Sequence, residues 1–298
     1  MGTYQGEQFL PEQLESIRNQ THSDWSLWVS DDGSTDQTQE IVEEFRLKAG
    51  APVHFVAGPR QGFLRNFMTL LARPEIDADY YGFSDQDDIW HPDKVESALE
   101  WLGKQPSDRP ALFCSRTKIV DTAGHVIGFS PLFQRLPSFA NALVQSIAGG
   151  NTMIMNRAAR ELIVSAGADL AIPSHDWWCY IMVCGAGGAV HYDPTARIDY
   201  RQHDFNLVGS NSGVRARLRR MKMLKEGRFK RWSEQHIAAL QPVEARLTPE
   251  NREILRRFQD ARTAAFPKNL HAFMNAGLYR QTLSGNVGLA GAVLLRQI

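Results

Sequence analysis

Short apolar runs alternate with helical patterns along the first 200 residues. The apolar runs predict strands at Trp25–Ser30, Val53–Ala57, Tyr80–Ser84, Ala111–Lys118, Thr152–Asn156 and Ala189–Tyr192. Amphipathic patterns between them predict helices near Glu7–Asn19, Thr35–Lys48, Gly62–Leu71, Pro92–Gly103, Arg157–Ala166 and Asp176–Cys184. Such alternation is typical of βαβ units, so we predict an α/β fold with a mostly parallel sheet and helices on both faces.

The strand pattern stops near residue 210, and basic helical patterns follow. They predict helices at Val214–Glu226, Phe229–Leu240, Pro249–Arg262 and roughly Lys268–Thr282. We therefore predict an α/β domain over residues 1–210 and a helical C-terminal region over residues 211–298. The apolar run Val287–Leu295 is too short to cross a bilayer, so it is either an interfacial helix or a core helix.

The start of the chain has the pattern of a loop that follows a strand. The sequence Gly2-Thr3-Tyr4-Gln5-Gly6 precedes a helical pattern from about Glu7, and almost nothing precedes Gly2. Two explanations stay open. Either the sheet lacks part of its first strand, or the natural reading frame begins upstream of Met1.

The net charge of zero hides a division between the two parts of the chain. Residues 205–298 hold 17 Lys+Arg against 6 Asp+Glu (+11), and residues 1–204 hold 16 against 27 (−11). The segment Arg215–Lys225 is both basic and amphipathic. It either lies on an anionic membrane surface or packs on the α/β domain as an ordinary helix. We expect no nucleic-acid partner.

The cysteines and the longest apolar runs limit the compartment. Three cysteines without a Cys-x-x-Cys pair argue against a disulfide framework or a zinc ribbon and favour a reducing environment. We find no signal-peptide pattern and no apolar run of 18 residues. We expect a cytoplasmic protein, with peripheral contact to the inner face of the cytoplasmic membrane as the alternative that the basic segment leaves open.

Asp85-Gln86-Asp87-Asp88-Ile89-Trp90 is the main candidate for chemistry. It places three carboxylates in four positions directly after the apolar run Tyr80–Phe83. Ligands of open α/β sheets bind at the carboxyl ends of strands, and carboxylates there can hold a divalent cation against a diphosphate. The alternative is a solvated acidic loop, or an aspartate that caps the helix near Pro92.

A second acidic cluster follows the first long predicted strand. In Asp31-Asp32-Gly33-Ser34-Thr35-Asp36, the glycine and the hydroxyl residues fit a capped turn between a strand and a helix. The functional alternative is that one of the paired acids accepts the N–H of a uracil or thymine ring. Two acidic clusters at one edge of a sheet favour this second interpretation.

These segments, in their order and spacing, resemble family-2 glycosyltransferases, which are inverting enzymes with a GT-A fold. The resemblance covers roughly residues 2–210 and extends through Gly150-Asn151-Thr152-Met153, His175-Asp176-Trp177-Trp178 and Tyr200-Arg201-Gln202-His203. The variant Asp-Gln-Asp-Asp-Ile-Trp with a later Tyr-Arg-Gln-His is most similar to the bacterial rhamnosyltransferase-like branch.

The resemblance implies roles for the donor nucleotide site. Thr3 and Tyr4 would flank the nucleobase, Asp32 would accept the base N3–H, and Asp31 would support the loop. Arg65 would contact phosphate or base from the segment Gln61–Phe67, which is expected to open a helix beside the diphosphate.

The resemblance also implies a metal and diphosphate site. Asp87 would be the direct ligand of Mg²⁺ or Mn²⁺, with Asp85 nearer the ribose or the water shell of the metal. His203 would contact the metal or the diphosphate, and Arg201 would reach the same phosphates. Asp88 would support these groups or cap a helix.

Asp176 aligns with the general base of the family. Inversion needs a carboxylate that takes the proton of the acceptor hydroxyl, and no second nucleophilic carboxylate. Gly150, Asn151 and Trp177 would lie near the diphosphate or the acceptor. The alternative for His175-Asp176 is a simple helix N-terminus.

Together these roles imply transfer of a sugar from a dTDP or UDP donor to a hydroxyl of a glycan or lipid-linked glycan, as in bacterial surface polysaccharide synthesis. By resemblance the donor would be dTDP-L-rhamnose. The Gln-x-x-Arg-Trp motif of processive synthases is absent. Two other classes remain open at this point. One is a sugar-phosphate nucleotidyltransferase, although no glycine-rich basic loop is visible, and the other is a non-catalytic nucleotide-binding or scaffolding protein.

Overall fold

One half of the central sheet carries the first acidic cluster. The computed structural model describes residues 1–203 and 226–298. Strands β1 (Gly2–Thr3), β2 (Leu27–Asp31) and β3 (Val53–Ala57) pair in parallel in the order β1-β2-β3. Thr3 lies opposite Asp31, and Asp31 lies opposite Ala57. The carboxyl ends of all three strands therefore meet at one edge.

The other half of the sheet is mixed. Its strands are β4 (Tyr80–Gly82), β6 (Ala111–Ser115), β9 (Ile154–Asn156) and β10 (Ala189–Asp193), in the order β10-β6-β9-β4. Strand β10 is parallel to β6, and β9 runs antiparallel to both of its neighbours. The amide of Gly2 donates to the carbonyl of Ser84 at 3.2 Å, and this bond joins β1 to the segment after β4.

A smaller sheet stands beside the carboxyl ends of these strands. It consists of β5 (Ile89–Trp90), β7 (Lys118–Val120), β8 (Val126–Phe129) and β11 (Ile198–Arg201), in the order β5-β11-β7-β8. We did not predict it, because its strands have only two to four residues. The predicted strand Ala111–Lys118 was wrong in this respect, since it is interrupted after Ser115.

Helices cover the sheet as the pattern indicates. They are α1 (Leu10–Arg18), α2 (Thr38–Lys48), α3 (Phe63–Leu71), α4 (Lys94–Leu102), α5 (Phe139–Ala142), α6 (Arg157–Val164) and α7 (His175–Gly185). Helix α3 buries Phe67, Met68, Leu70 and Leu71 on one side, as its amphipathic pattern predicts. The prediction for the first helix was wrong at its start, because the helix begins three residues after Glu7.

The first strand is short, but it is formed. Gly2 and Thr3 pair with β2, and the carbonyl of Met1 accepts the amide of Ser30 at 2.9 Å. Thr3 is buried at the centre of the sheet. Residues 1–3 therefore form a short strand at the position expected for the first strand, and the two explanations for its shortness stay predictions.

The C-terminal helices share a core with the α/β part. They are Arg228–Leu240, Pro249–Thr263, Lys268–Asn275 and Leu283–Leu294, with a 3-10 segment at Gln241–Arg246. Leu240, Phe258 and Val293 belong to the same buried cluster as Trp178 and Tyr180 of α7. The predicted helix Val214–Glu226 except its last residue, the whole basic segment Arg215–Lys225 and the predicted boundary at residue 210 lie outside the described residues.

Membrane-spanning segments and disulfides were both expected to be absent. Within residues 1–203 and 226–298, every helix is too short or too polar to traverse a bilayer. Cys114, Cys179 and Cys184 are buried and unpaired.

Candidate active site

Two loops at the carboxyl edge of the sheet are bonded to each other. The amide of Gln5 donates to Oγ of Ser34 at 2.8 Å, and the amide of Gly6 donates to Oγ1 of Thr38 at 2.8 Å. The loop after β1 is thus fixed against the loop after β2. The hydroxyl residues of the predicted turn serve this contact between loops.

Asp31 supports the second loop from inside. Its carboxylate accepts the hydroxyl of Thr3 at 2.9 Å and the amides of Gly33 and Ser34 at 3.1 and 2.8 Å. Gly33 has a φ of 101°, which only glycine adopts without strain. This arrangement agrees with the supporting role expected for Asp31, and it places Thr3 beside that carboxylate.

Asp32 faces the loop between β3 and α3. Its Oδ1 accepts the amides of Arg60 and Gln61 at 2.7 and 3.3 Å, and its Oδ2 accepts the amide of Gly62 at 2.7 Å. A carboxylate oxygen can accept two hydrogen bonds, so Oδ2 can still receive a base N–H. No pattern in the sequence indicates that this loop orients Asp32.

Arg65 has protein partners rather than an open position. Its guanidinium donates to the carbonyl of Ala168 at 3.0 Å and pairs with Asp169. These bonds tie α3 to the segment that precedes α7. The expected contact of Arg65 with phosphate or base stays a prediction.

Gln86 connects the second acidic cluster to the nucleotide loop. Its amide oxygen accepts the Tyr4 amide at 2.8 Å, and its amide nitrogen donates to the Tyr4 carbonyl at 3.0 Å. The Tyr4 side chain is 58% exposed and available to a ligand. A Cβ at Gly6 would lie 2.6 Å from Oε1 of Gln86, so a larger residue there would displace the Gln86 amide. Sequence reasoning missed Gln86, although it lies inside the motif.

Asp87 and His203 form the centre of the predicted metal site. Oδ2 of Asp87 lies 2.7 Å from Nε2 of His203, although 116 residues separate them. Burial, together with the negative charges of Asp87 and Asp176, raises the pKa of Asp85 to about 7. The structure therefore brings Asp85, Asp87, Asp176 and His203 into one neighbourhood.

Arg201 lies under this site. Its guanidinium donates to the carbonyls of Asp87 and Thr122 at 3.2 and 3.1 Å and pairs with Glu12. It also lies over the ring of Phe9 at 4.7 Å. The side chain is only 3% exposed. Arg201 thus holds the Asp87 loop in this structure, and its expected reach to the phosphates stays a prediction.

The buried side chain of Asn151 contacts Asp88 in the acidic cluster. Asp88 accepts the side-chain amide of Asn151 at 2.6 Å, and burial raises the pKa of Asp88 well above its usual range. Burial lowers the pKa of Lys94 to about 7, and its ammonium lies 3.5 Å from the centre of the Trp90 ring. Asn151 thus supports the loop instead of facing an acceptor, and Asp88 does not cap α4, which begins after Asp93.

Asp176 lies in the first turn of α7. Its Oδ1 accepts the hydroxyl of Ser174 and, at 2.6 Å, the amide of Trp177. No hydrogen bond to its other oxygen, Oδ2, occurs among the described residues. Asp176 therefore has the contacts of a helix N-terminus and also keeps one oxygen for a proton.

His175 is enclosed next to this carboxylate. Its ring stacks on Phe67 at 4.3 Å and meets the edge of Phe83 at 4.7 Å. A Cβ at Gly150 would lie 2.4 Å from Nε2 of His175. Gly150 is thus required by the close approach of His175, which fixes the start of α7 against the loop that carries Asn151.

Trp177 points toward the C-terminal helices. Its indole N–H donates to the carbonyl of Ala142 at 2.6 Å. Its ring meets Trp232 and His236 edge to face, with centroids 5.8 and 4.6 Å apart. These contacts belong to packing and do not place Trp177 against a diphosphate.

The side chains fit a magnesium or manganese ion that is bound together with a substrate. No three His, Cys, Asp or Glu side chains form a ready metal cage within the described parts of the chain. Mg²⁺ typically uses one or two carboxylates and completes its shell with phosphate and water. Asp87 and His203 supply hard and borderline donors, and a cation would relieve the repulsion that raises the pKa of Asp85.

Sequence comparisons find relatives with named activities. The family model described as "Glycosyl transferase family 2" matches residues 1–162. The dTDP-rhamnosyl transferase RfbG of Shigella flexneri is 31% identical over 234 residues, which are 76% of this chain and 79% of that protein. The putative teichuronic acid biosynthesis glycosyltransferase TuaG of Bacillus subtilis is 28% identical over 104 residues, 34% of this chain and 39% of its own.

Comparison with solved structures shows the fold. Residues 1–349 of S. aureus TarS in complex with UDP-GlcNAc match with a TM-score of 0.57 and 16% identity, covering 99% of this chain and 86% of that chain. This chain spans 52% of a longer TarS chain. The mannosyltransferase PcManGT from Pyrobaculum calidifontis, in complex with GDP-Man and Mn²⁺, matches with a TM-score of 0.52 and 15% identity. The match covers 99% of this chain and 84% of that chain. The predicted GT-A fold is confirmed.

Proposed function

The chain belongs to glycosyl transferase family 2, and we propose that it is an inverting, metal-dependent enzyme that transfers L-rhamnose from a dTDP donor to a hydroxyl of a glycan or lipid-linked glycan. Membership identifies a glycosyltransferase, so the nucleotidyltransferase and scaffold alternatives are not retained. The likeness to the Shigella dTDP-rhamnosyl transferase supports the donor, and UDP-sugars are the second donor type to compare.

The observation that carries the proposal is the convergence of four groups from separate segments. Asp85 and Asp87 follow β4, His203 follows β11, and Asp176 begins α7. Asp87 contacts His203 directly, and the charge of Asp176 acts on Asp85. This combination supports a diphosphate-binding corner beside a carboxylate that would take a proton.

The nucleoside would bind on the neighbouring side of the edge. The exposed ring of Tyr4 would stack on the base, and Asp32 would accept the base N3–H. Thr3 and Asp31 would keep the loop in the shape that these contacts need. Gln86 holds Tyr4 at a fixed distance from Asp87, so the base and the diphosphate would be bound in register.

Transfer would proceed as a single displacement. The acceptor oxygen attacks the anomeric carbon, the bond from that carbon to the diphosphate oxygen breaks, and the departing diphosphate keeps the electron pair. Oδ2 of Asp176 would take the acceptor proton as the new bond forms. A bound Mg²⁺ or Mn²⁺ would neutralise the charge of the leaving diphosphate; Asp87 and His203 would hold it, with Asp85 nearby.

Calorimetric titration tests this site directly. The protein should bind dTDP in the presence of Mn²⁺ and at least about tenfold more weakly with chelator, because the cation neutralises charge between Asp87 and the diphosphate. Asp87→Ala should remove the Mn²⁺ effect, whereas Asp121→Ala in the β7–β8 turn should keep it. Equal dTDP affinity with and without Mn²⁺ in the native protein would contradict metal dependence.

Product analysis tests the sugar. Incubation with dTDP-L-rhamnose and, separately, UDP-sugars should release dTDP or UDP only with the true donor. Release from UDP-sugars alone would overturn the rhamnose assignment and leave the glycosyltransferase activity standing.

The proposal also includes a cytoplasmic location and contact with an anionic membrane surface, where a lipid-linked acceptor would be presented.

A further inference from the structure

The helix Leu283–Leu294 is apolar on every side, but only one side is covered. It contains no charged residue. Leu289, Ala292 and Val293 are buried in the core. On the other side, the side chains of Leu283 and Val287 are 87% and 75% exposed. Helices that are apolar all round are normally buried, so we expect a binding partner to cover the exposed side.

The exposed residues form one face. Leu283, Val287 and Leu294 are spaced i, i+4 and i+11, and 3.6 residues per turn bring these positions into line. A Cβ built at Gly288 or Gly291 would meet nothing within 4 Å, so no described segment packs there.

A neighbouring loop extends this face. The amide of Arg135 donates to the side chain of Gln281 at 3.1 Å, and the carbonyl of Leu136 accepts the hydroxyl of Tyr279. Leu136 is 84% exposed. We define the apolar docking face as five exposed residues: Leu136, Leu283, Val287, Leu294 and Leu295.

Exposed cations lie beside the docking face. Residues 261–298 contain no Asp or Glu. Arg262 is mostly buried and pairs with Glu234, whereas Lys268 and Arg296 are exposed. Arg135 on the adjoining loop is exposed as well. An apolar face beside exposed arginine and lysine is the pattern of segments that lie in the interface of an anionic bilayer.

The same charges argue against a second copy of the chain as the occupant. A two-fold dimer through this face would bring two patches with the same positive charge together, because the same surface is used on both subunits. Like charges brought together oppose association, whereas anionic headgroups would be attracted.

We propose that the apolar docking face inserts into the interfacial region of an anionic lipid bilayer. Insertion into the bilayer would bring the active site to a lipid-linked acceptor, and in this respect the proposal rests on the proposed function. It assigns membrane contact to the helix Leu283–Leu294, which contains most of the apolar run that the sequence left open as an interfacial or core helix, and to the adjoining residues Arg135 and Leu136. The other candidate from the sequence was Arg215–Lys225.

Vesicle sedimentation with the full chain tests this assignment. The native protein should sediment with vesicles of phosphatidylcholine and phosphatidylglycerol and much less with phosphatidylcholine alone. The double variant Leu283→Asn/Val287→Asn should bind the anionic vesicles at least about tenfold more weakly, because two exposed apolar side chains no longer leave water. Leu47→Asn is the matched control, because Leu47 is 84% exposed on α2, and it should bind like the native protein.

Three results would overturn the assignment. The first is that the native protein does not bind anionic vesicles, and the second is that the double variant binds them as well as the native protein does. The third is that the native protein self-associates without vesicles and the double variant does not. Titration with dTDP and Mn²⁺ without vesicles separates this test from the proposed function. The double variant should bind the nucleotide normally, and vesicle binding by a protein that binds no nucleotide would contradict the proposed function alone.

Discussion

At the scale of single residues, Asp176 is distinguished by its two unequal oxygens. Oδ1 is engaged by Ser174 and by the amide of Trp177. These bonds fix the orientation of the carboxylate, so that Oδ2 is presented in one direction. A base that is held in this way needs no movement before it accepts a proton.

Replacing Asp176 by asparagine should separate chemistry from binding. The amide keeps the shape of the side chain but cannot accept a proton, so kcat should fall at least about 10²-fold. Release of dTDP from dTDP-L-rhamnose measures turnover, and titration with dTDP and Mn²⁺ should give nearly native affinity. Native turnover by Asp176→Asn would exclude this residue as the base.

The residue types of the site could be predicted from the sequence, but their partners could not. Asp87 and His203 are found together as the motif order indicates. Arg65 and Arg201 have positive charges suited to phosphate, yet Asp169 and Glu12 pair with them. Glu12 lies 189 residues from Arg201, and no local pattern reports such a contact.

At the scale of elements, the start of α7 is held against the Gly150 loop by close packing. His175 lies between the rings of Phe67 and Phe83 on one side and the backbone of Gly150 on the other. Because His175 precedes Asp176, any displacement of this ring would move the proposed base.

Gly150→Ala should therefore destabilise the protein and slow transfer. The new Cβ would lie 2.4 Å from Nε2 of His175, and overpacking of this kind typically costs about 1–3 kcal/mol. Denaturant unfolding measures the loss. Gly128→Ala is a suitable control, because a Cβ at Gly128 meets nothing within 4 Å.

A double-variant cycle identifies the cause. In a His175→Ala background, Gly150→Ala should cost much less, since the clashing ring is gone. If the cost is the same in both backgrounds, the contact with His175 is not its source.

The long elements follow from the pattern, whereas the short ones do not. Strands such as β3 and β6 and helices such as α3 carry enough apolar positions to show their period. Strands β5 and β11 have two and four residues, and they form because they pair with each other. This pairing brings His203 to the acidic cluster, and it depends on tertiary contacts.

At the scale of the whole molecule, the C-terminal helices and the catalytic part share one buried cluster. Trp177, next to the proposed base, packs against His236 of the helix Arg228–Leu240. His236 is 1% exposed, and burial lowers its pKa to about 3. The imidazole must therefore stay neutral for this contact to persist.

This burial should make stability depend on pH. The His236 pKa is lowered from 6.5 to about 3, so the unfolded chain binds the proton first. Stability should be full above pH 6.5 and should fall as the pH drops toward 3, by about 2 kcal/mol at pH 5 relative to pH 8. Unfolding of the native protein and His236→Gln at both pH values measures this.

The variant should lose that part of the pH dependence. His271→Gln, at an exposed position, should keep the native dependence. An unchanged pH dependence in His236→Gln would show that His236 is not the group responsible.

The junction between Gly2 and Ser84 has a mechanical consequence. The nucleoside side of the edge belongs to the β1-β2-β3 half, and Asp85 and Asp87 follow β4 in the other half. At this seam the amide of Gly2 bonds to the carbonyl of Ser84. A nucleoside diphosphate that contacts both Thr3 and Asp87 would cross this junction and link the two halves of the sheet. Donor binding would then make the junction between the two halves more rigid, and release of the nucleoside diphosphate would remove this restraint.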